Sequence, residues 1–186
     1  MYLDGIKAGL KQGLRNEVIC RKIYTVYPAF VFDNDLDRQF EIYNAISNEF
    51  KVPITSIQMV GSAKTGYSYV KDKAFNKGES DLDIAIVDAY LFQKYSEIVI
   101  KETAGFTDLS NFKNIDQYSR YIMKGVFRPD LMPSCEVRKR WFNFFNKLSS
   151  KHIDLFSDIN AGIYFSQTFF EFKQTENIEI IKRAFL

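Results

Sequence analysis

The sequence predicts an α+β fold, a mixed β-sheet flanked by helices. Three observations carry this. Apolar runs of strand length alternate with segments of helical period, without the strict rhythm of repeated βαβ units. The 186 residues are 46% hydrophobic and 26% charged, which is one domain's length with a sizeable core. The 18 Phe and 11 Tyr supply a thick aromatic core. No internal repeat, low-complexity tract or linker interrupts the chain. One domain over 1–186 is therefore expected, with an N-terminal helical region (1–50), a core (51–166) and a C-terminal helix (167–186).

Tyr2 to about Arg21 reads as a helix, because Leu3, Ile6, Leu10 and Leu14 recur at three and four. Gly5, Gly9 and Gly13 share that helix at a spacing of four. They make it either a soft terminal helix or a flat stripe against which a second helix or subunit docks, so a homodimer is one expectation. Ala29–Phe32 reads as extended. Asp33, Asn34 and Asp35 offer N-caps for a helix from about Leu36 to Phe50. Ile54–Val60 reads as a strand ended by Gly61, residues 63–80 as a lysine-rich flexible loop, and Leu82–Val87 as a second strand. Tyr90–Glu102 and Ile115–Phe127 have helical spacing. Ser134 caps a further helix ending near Leu148, with Val137, Trp141, Phe144, Phe145 and Leu148 on its buried face. His152–Phe156 and Ile159–Ser166 are strand candidates, and the last twenty residues read as a helix.

Composition narrows the function classes. With 25 Lys plus Arg against 23 Asp plus Glu, the net charge is only +2, which weakens a nucleic-acid-binding module or a polybasic membrane binder. No stretch approaches the uncharged length that spans a bilayer. Asp4 and Lys7 fall where a signal peptide needs its apolar run, so a cytoplasmic location is expected. Two cysteines, Cys20 and Cys135, read as small core residues. One histidine, His152, cannot make a three-histidine metal site and reads as a partly buried structural residue. Any metal must be held mainly by carboxylates, which points to a hard ion such as magnesium.

The informative region is Ile54–Asp88. Side chains alternate across a strand, so Asp81 and Asp83 share one face while Leu82, Ile84 and Ile86 anchor the other. A divalent cation would relieve the repulsion between the two carboxylates. A strand that turns at Gly61-Ser62 into a helix start leaves backbone N–H groups free for a phosphate. The Ser62 hydroxyl and Lys64 would add a donor and charge. Together these features describe a site for a magnesium–nucleoside triphosphate. Arg128 reads either as a turn residue or as a substrate contact. Arg138, Lys139 and Arg140 read either as a solvated face or as phosphate contacts.

Val60-Gly61-Ser62, followed by Ser80-Asp81-Leu82-Asp83 and Ile84-Ala85-Ile86-Val87, resembles the signature of the nucleotidyltransferase superfamily with the polymerase-beta-like fold. Gly61-Ser62-Ala63-Lys64-Thr65-Gly66-Tyr67-Ser68, then Phe75 and Ser80–Asp83, is similar to a bacterial subgroup, as is Gly125–Asp130. The motif core covers about 30 of 186 residues. The resemblance implies a nucleotidyltransferase-like core and transfer of a nucleoside monophosphate from a triphosphate to a hydroxyl of a protein, a nucleotide or RNA. It implies magnesium, with manganese able to replace it, on Asp81 and Asp83. Gly61, Ser62, Lys64 and Ser80 are the corresponding nucleotide-binding positions. A third metal-binding carboxylate on a later strand is expected at Asp154, in Ile153-Asp154-Leu155, with Asp158 as the second choice. The sequence departs from the family in the eighteen residues, 63–80, between Ser62 and Asp81. The rival reading is a relative that binds a nucleotide or a partner protein without catalysis, as in toxin–antitoxin or defence systems.

Overall fold

The computed structural model describes residues 2–185. Helix α1 (Tyr2–Lys11) does not run on to Arg21 as the periodicity predicts. It stops at Gly13, whose φ of +68° lets the chain reverse, with the Leu14 N–H bonded to the Gly9 carbonyl. The chain returns as α2 (Asn16–Cys20), which continues through a wider π turn over Arg21–Val26. The residues that recur at three and four, Leu3, Ile6, Leu10 and Leu14, all precede α2, so the spacing supports the first helix only. The glycine stripe is used inside the chain. A Cβ on Gly9 would lie 2.8 Å from Ile19, and one on Gly5 would lie 2.9 Å from Tyr27.

A short 3-10 turn at Phe30–Phe32 replaces the extended segment expected there. Helix α3 (Leu36–Phe50) is capped by Asp35, whose carboxylate accepts the Arg38 N–H, as the cluster of acidic and amide residues predicts. Strand β1 (Ile57–Val60) starts later than expected, after a 3-10 turn at Ile54–Ser56. A short helix α4 (Gly61–Thr65) follows at once. The predicted flexible loop contains a hairpin of β2 (Tyr67–Ser68) and β3 (Lys73–Ala74). Strand β4 (Leu82–Val87) and helix α5 (Ala89–Glu102, capped by Asp88) lie as expected. Helix α6 (Ile115–Met123) ends four residues early, and Val126–Phe127 forms β5 instead. Helix α7 (Glu136–Lys151) starts after Cys135, with no side-chain cap. His152–Phe156 is turn and not strand, and it buries Leu155 and Phe156, the latter against Phe32 and Phe75. Strand β6 (Ile159–Tyr164) and helix α8 (Gln167–Phe185) complete the chain.

The main sheet has four strands in the order β1-β4-β6-β5. β4 and β6 are parallel and the other pairs antiparallel, so the sheet is mixed. One face carries Leu82, Ile84, Ile86, Ile159 and Ile163 into a core with Phe32, Ile42, Ile46, Trp141 and Phe145. The other face carries Ala85 and Tyr164 into a second core with Ile6, Ile19, Ile23, Phe170 and Ile178. Helices thus cover both faces, and both cores grip the central strands β4 and β6. Among the described residues no helix is long and apolar enough to cross a membrane.

Candidate functional site

The site is built where β1, β4 and β6 meet. Val60 is extended, and Gly61 then takes φ +67° to start α4. No side chain caps that first turn. Val60 pairs with Asp83 across the β1–β4 ladder, which brings the glycine against the carboxylate. A Cβ on Gly61 would lie 2.7 Å from Asp83 Oδ2, closer than any side chain can sit. Glycine is therefore required twice at this position, for its backbone angle and for the space.

The β4–β6 ladder adds a second pair of polar groups. Asp83 stands beside Asn160, and the Leu82 N–H donates to the Asp158 carbonyl at 2.8 Å, one step earlier. Paired residues of parallel strands project to the same side, so Asp81, Asp83, Asp158 and Asn160 share one face. β5 pairs only with Ile163 and Tyr164, and the first half of β6 is left open toward a cavity of about 550 Å³. All four polar residues line it, together with Arg128 and Asp130, Trp141 and Phe145 of α7, and Lys173, Gln174 and Asn177 of α8.

Burial pushes the Asp83 carboxyl up to about 6, and the neighbouring Asp81 charge adds to the shift. Lys71 and Arg128 oppose it, and Asp158 reinforces it. Lys71 Nζ lies 3.9 Å from Asp81 Oδ2, at the edge of an ion pair. Arg128 is held by Asp130 at 2.6 Å and 3.0 Å and lies over the Tyr121 ring. The Asp158 carboxylate accepts from Ser149 Oγ at 2.7 Å and from the Ile159 N–H at 2.9 Å, which fixes its orientation.

Of the residues expected from sequence, Gly61, Asp81 and Asp83 come together here. Ser62 lies half-buried in the first turn of α4. Ser80 is used structurally: its hydroxyl accepts the Asn76 N–H and its carbonyl accepts the Ser157 N–H. Lys64 turns away from the cavity. It is 5% exposed, donates to the Tyr27 carbonyl, and burial pushes its amine down to about 8. Asp154 is not a cavity residue either. Its exposed carboxylate is ion-paired with Arg38 at 2.7 Å, because the segment that carries it is a turn. Asp158, the second choice, lines the cavity. His152 is buried outside it, and Cys20 and Cys135 are buried free thiols. Arg138 donates to the Asp130 carbonyl and to Ser134 Oγ, bracing the turn that carries Arg128.

Sequence reasoning missed Asn160, Lys71 and the three α8 residues. The signal for Asn160 was Ile159-Asn160-Ala161, which has the same apolar-polar-apolar pattern as Leu82-Asp83-Ile84. Nothing local marks Lys71 or α8.

Two carboxylates on one face suit an ion such as magnesium, which takes one or two protein carboxylates and fills its other positions with water and substrate phosphate. Among the described residues no group of three His, Cys, Asp or Glu is arranged to hold a metal unaided. No protein-family profile, curated protein or solved structure matches this chain.

Proposed function

We propose that this cavity binds a nucleoside triphosphate with magnesium, or manganese in its place, and transfers the nucleoside monophosphate to a hydroxyl acceptor, the bond to the β-phosphate breaking and pyrophosphate leaving. The observation that carries this reading is the contact between the Gly61 turn and Asp83, which puts uncapped helix N–H groups beside a desolvated carboxylate. Asp81 and Asp83 would hold the metal, and a bound ion would supply charge neutralisation at the triphosphate. The first N–H groups of α4 would donate to a phosphate oxygen. Arg128 and Lys173 put positive charge on the far wall. Asp158, oriented by Ser149, would take a proton from the attacking hydroxyl. Trp141 and Phe145 keep water from one side.

One observation favours a second reading. The residue beside Asp83 on the later strand is an amide, Asn160, where the family resemblance leads one to look for a carboxylate. An amide at that position beside Asp81 and Asp83 suits nucleotide or partner binding without transfer.

The test is a thermal-shift titration with ATP, GTP, CTP and UTP, with and without magnesium, on wild type and an Asp81→Asn/Asp83→Asn double variant. A magnesium-dependent rise in Tm that the variant loses supports the site and names the base. No rise with any triphosphate overturns it. The base so named, labelled at its α-phosphate, then separates the readings: label on an acceptor means transfer, and binding without transfer means the second.

A further inference from the structure

A second cavity, of about 620 Å³, lies at the other end of α4 from Gly61. Four aromatic rings wall it: Tyr2, Phe30, Tyr67 and Tyr69. Two carboxylates, Asp33 and Asp72, and Thr65 add polar groups to its lining, and among the described residues no basic side chain lines it.

The arrangement of these groups matters more than their number. The Tyr2 hydroxyl donates to the Pro28 carbonyl at 2.6 Å, and the Tyr67 hydroxyl donates to Asp72. Both hydroxyls are thus occupied, and the rings are held in fixed orientations. The Tyr67 and Tyr69 rings stand 5.2 Å apart and tilted by 52°, so they form two walls of a corner and not a stack. Phe30 is 48% exposed, so its ring is open to a ligand. Asp33 has no ion-pair partner among the described residues. Its charge is felt inside, because it adds to the burial that pushes the Tyr2 hydroxyl up. Asp4 acts on Tyr69 in the same direction.

Ligand classes separate on this chemistry. An anion meets carboxylates and the negative faces of aromatic rings. A bare metal ion leaves a 620 Å³ aromatic space unfilled. A neutral apolar molecule fills the space but strips water from carboxylates without pairing them. An organic ammonium ion with an apolar body satisfies the rings and the charge together. We propose that this second cavity binds a small alkylated ammonium ion, its cationic head against the Tyr67–Tyr69 corner and near Asp33. The proposal does not depend on nucleotidyl transfer, and the residues it uses are absent from the lining of the first cavity.

The test is isothermal titration calorimetry of the full chain with choline chloride and with 3,3-dimethylbutan-1-ol, its neutral carbon isostere. Saturable choline binding is expected, with the isostere about tenfold weaker. Asp33→Asn, an exposed change that leaves the core untouched, should weaken choline severalfold. Tyr69→Leu, which keeps apolar bulk and removes the π face, should weaken it about tenfold. Unchanged far-UV circular dichroism and Tm in each variant tie the loss to the site. Equal affinity for the isostere, unchanged affinity in Asp33→Asn, or no saturable heat with choline would each overturn the proposal.

Discussion

Leu82-Asp83-Ile84 and Ile153-Asp154-Leu155 are nearly the same tripeptide and have opposite fates. Asp83 lies on a central strand, desolvated, with Asp81 beside it and its carboxyl pushed up to about 6. Asp154 lies on an exposed turn, where a hydrogen bond from Arg38 pulls its carboxyl below the ordinary range. The difference comes from what the neighbouring chain supplies. β1 and β6 offer Asp83 a glycine turn and an amide, whereas α3 offers Asp154 a guanidinium. Two aspartates in matching apolar contexts are therefore not two candidates of equal weight. The one with no ion-pair partner among the described residues is the one that can take a ligand.

The largest expected effect comes from Gly61→Val, which puts a branched side chain at positive φ and into Asp83. It should cost about 4 kcal/mol in urea unfolding and abolish any magnesium-dependent nucleotide shift. Asp83→Asn should act in the other direction on stability. A carboxyl raised in the folded state destabilises it once ionised. The variant should therefore be more stable than wild type by about 2 kcal/mol at pH 7.5, with the gap closing as pH falls from about 6 to below 3.8. A gap that does not change with pH would remove the desolvation argument. Asn160→Asp should destabilise the fold without divalent cations by about 1–2 kcal/mol through like-charge repulsion, read as a lower Tm, and magnesium should restore that Tm more than it raises wild type. Asp154→Asn should have the smallest effect. Its contribution to stability has the opposite sign, present at neutral pH and lost as pH falls through its depressed value, and the magnesium–nucleotide response should not change. If that variant lost the response, Asp154 would regain the role the sequence suggests.

The α+β class, the mixed sheet and the succession β1, Gly61-Ser62, β4 were legible because each rests on a local period or a local breaker. The end of α1 was not, because the reversal rests on the positive φ of Gly13 and on contacts of Gly5 and Gly9 with Tyr27 and Ile19, which no apolar spacing marks. His152–Phe156 misled because alternating apolar residues also describe a turn whose apolar side chains are buried. The site was half legible. Asp81 and Asp83 are two residues apart, so strand geometry alone puts them on one face. Asp158 and Asn160 reach that face only through the β4–β6 register, and Lys173 through the docking of α8. Those are pairings between distant segments, and no short motif encodes them. Lys64 shows the converse, a residue within a motif whose side chain packs against the Tyr27 backbone.

The parallel pairing of β4 with β6 also sets an order in time. Everything between them, residues 88–158, must emerge before Asn160 can stand beside Asp83. At ordinary translation speeds that interval is roughly four to fourteen seconds. Through it the β1–β4 hairpin presents Leu82, Ile84 and Ile86 on a strand with one unpaired edge, the geometry that recruits other chains. The central strand that later carries the candidate site is thus, during synthesis, the part of the molecule most in need of a temporary cover.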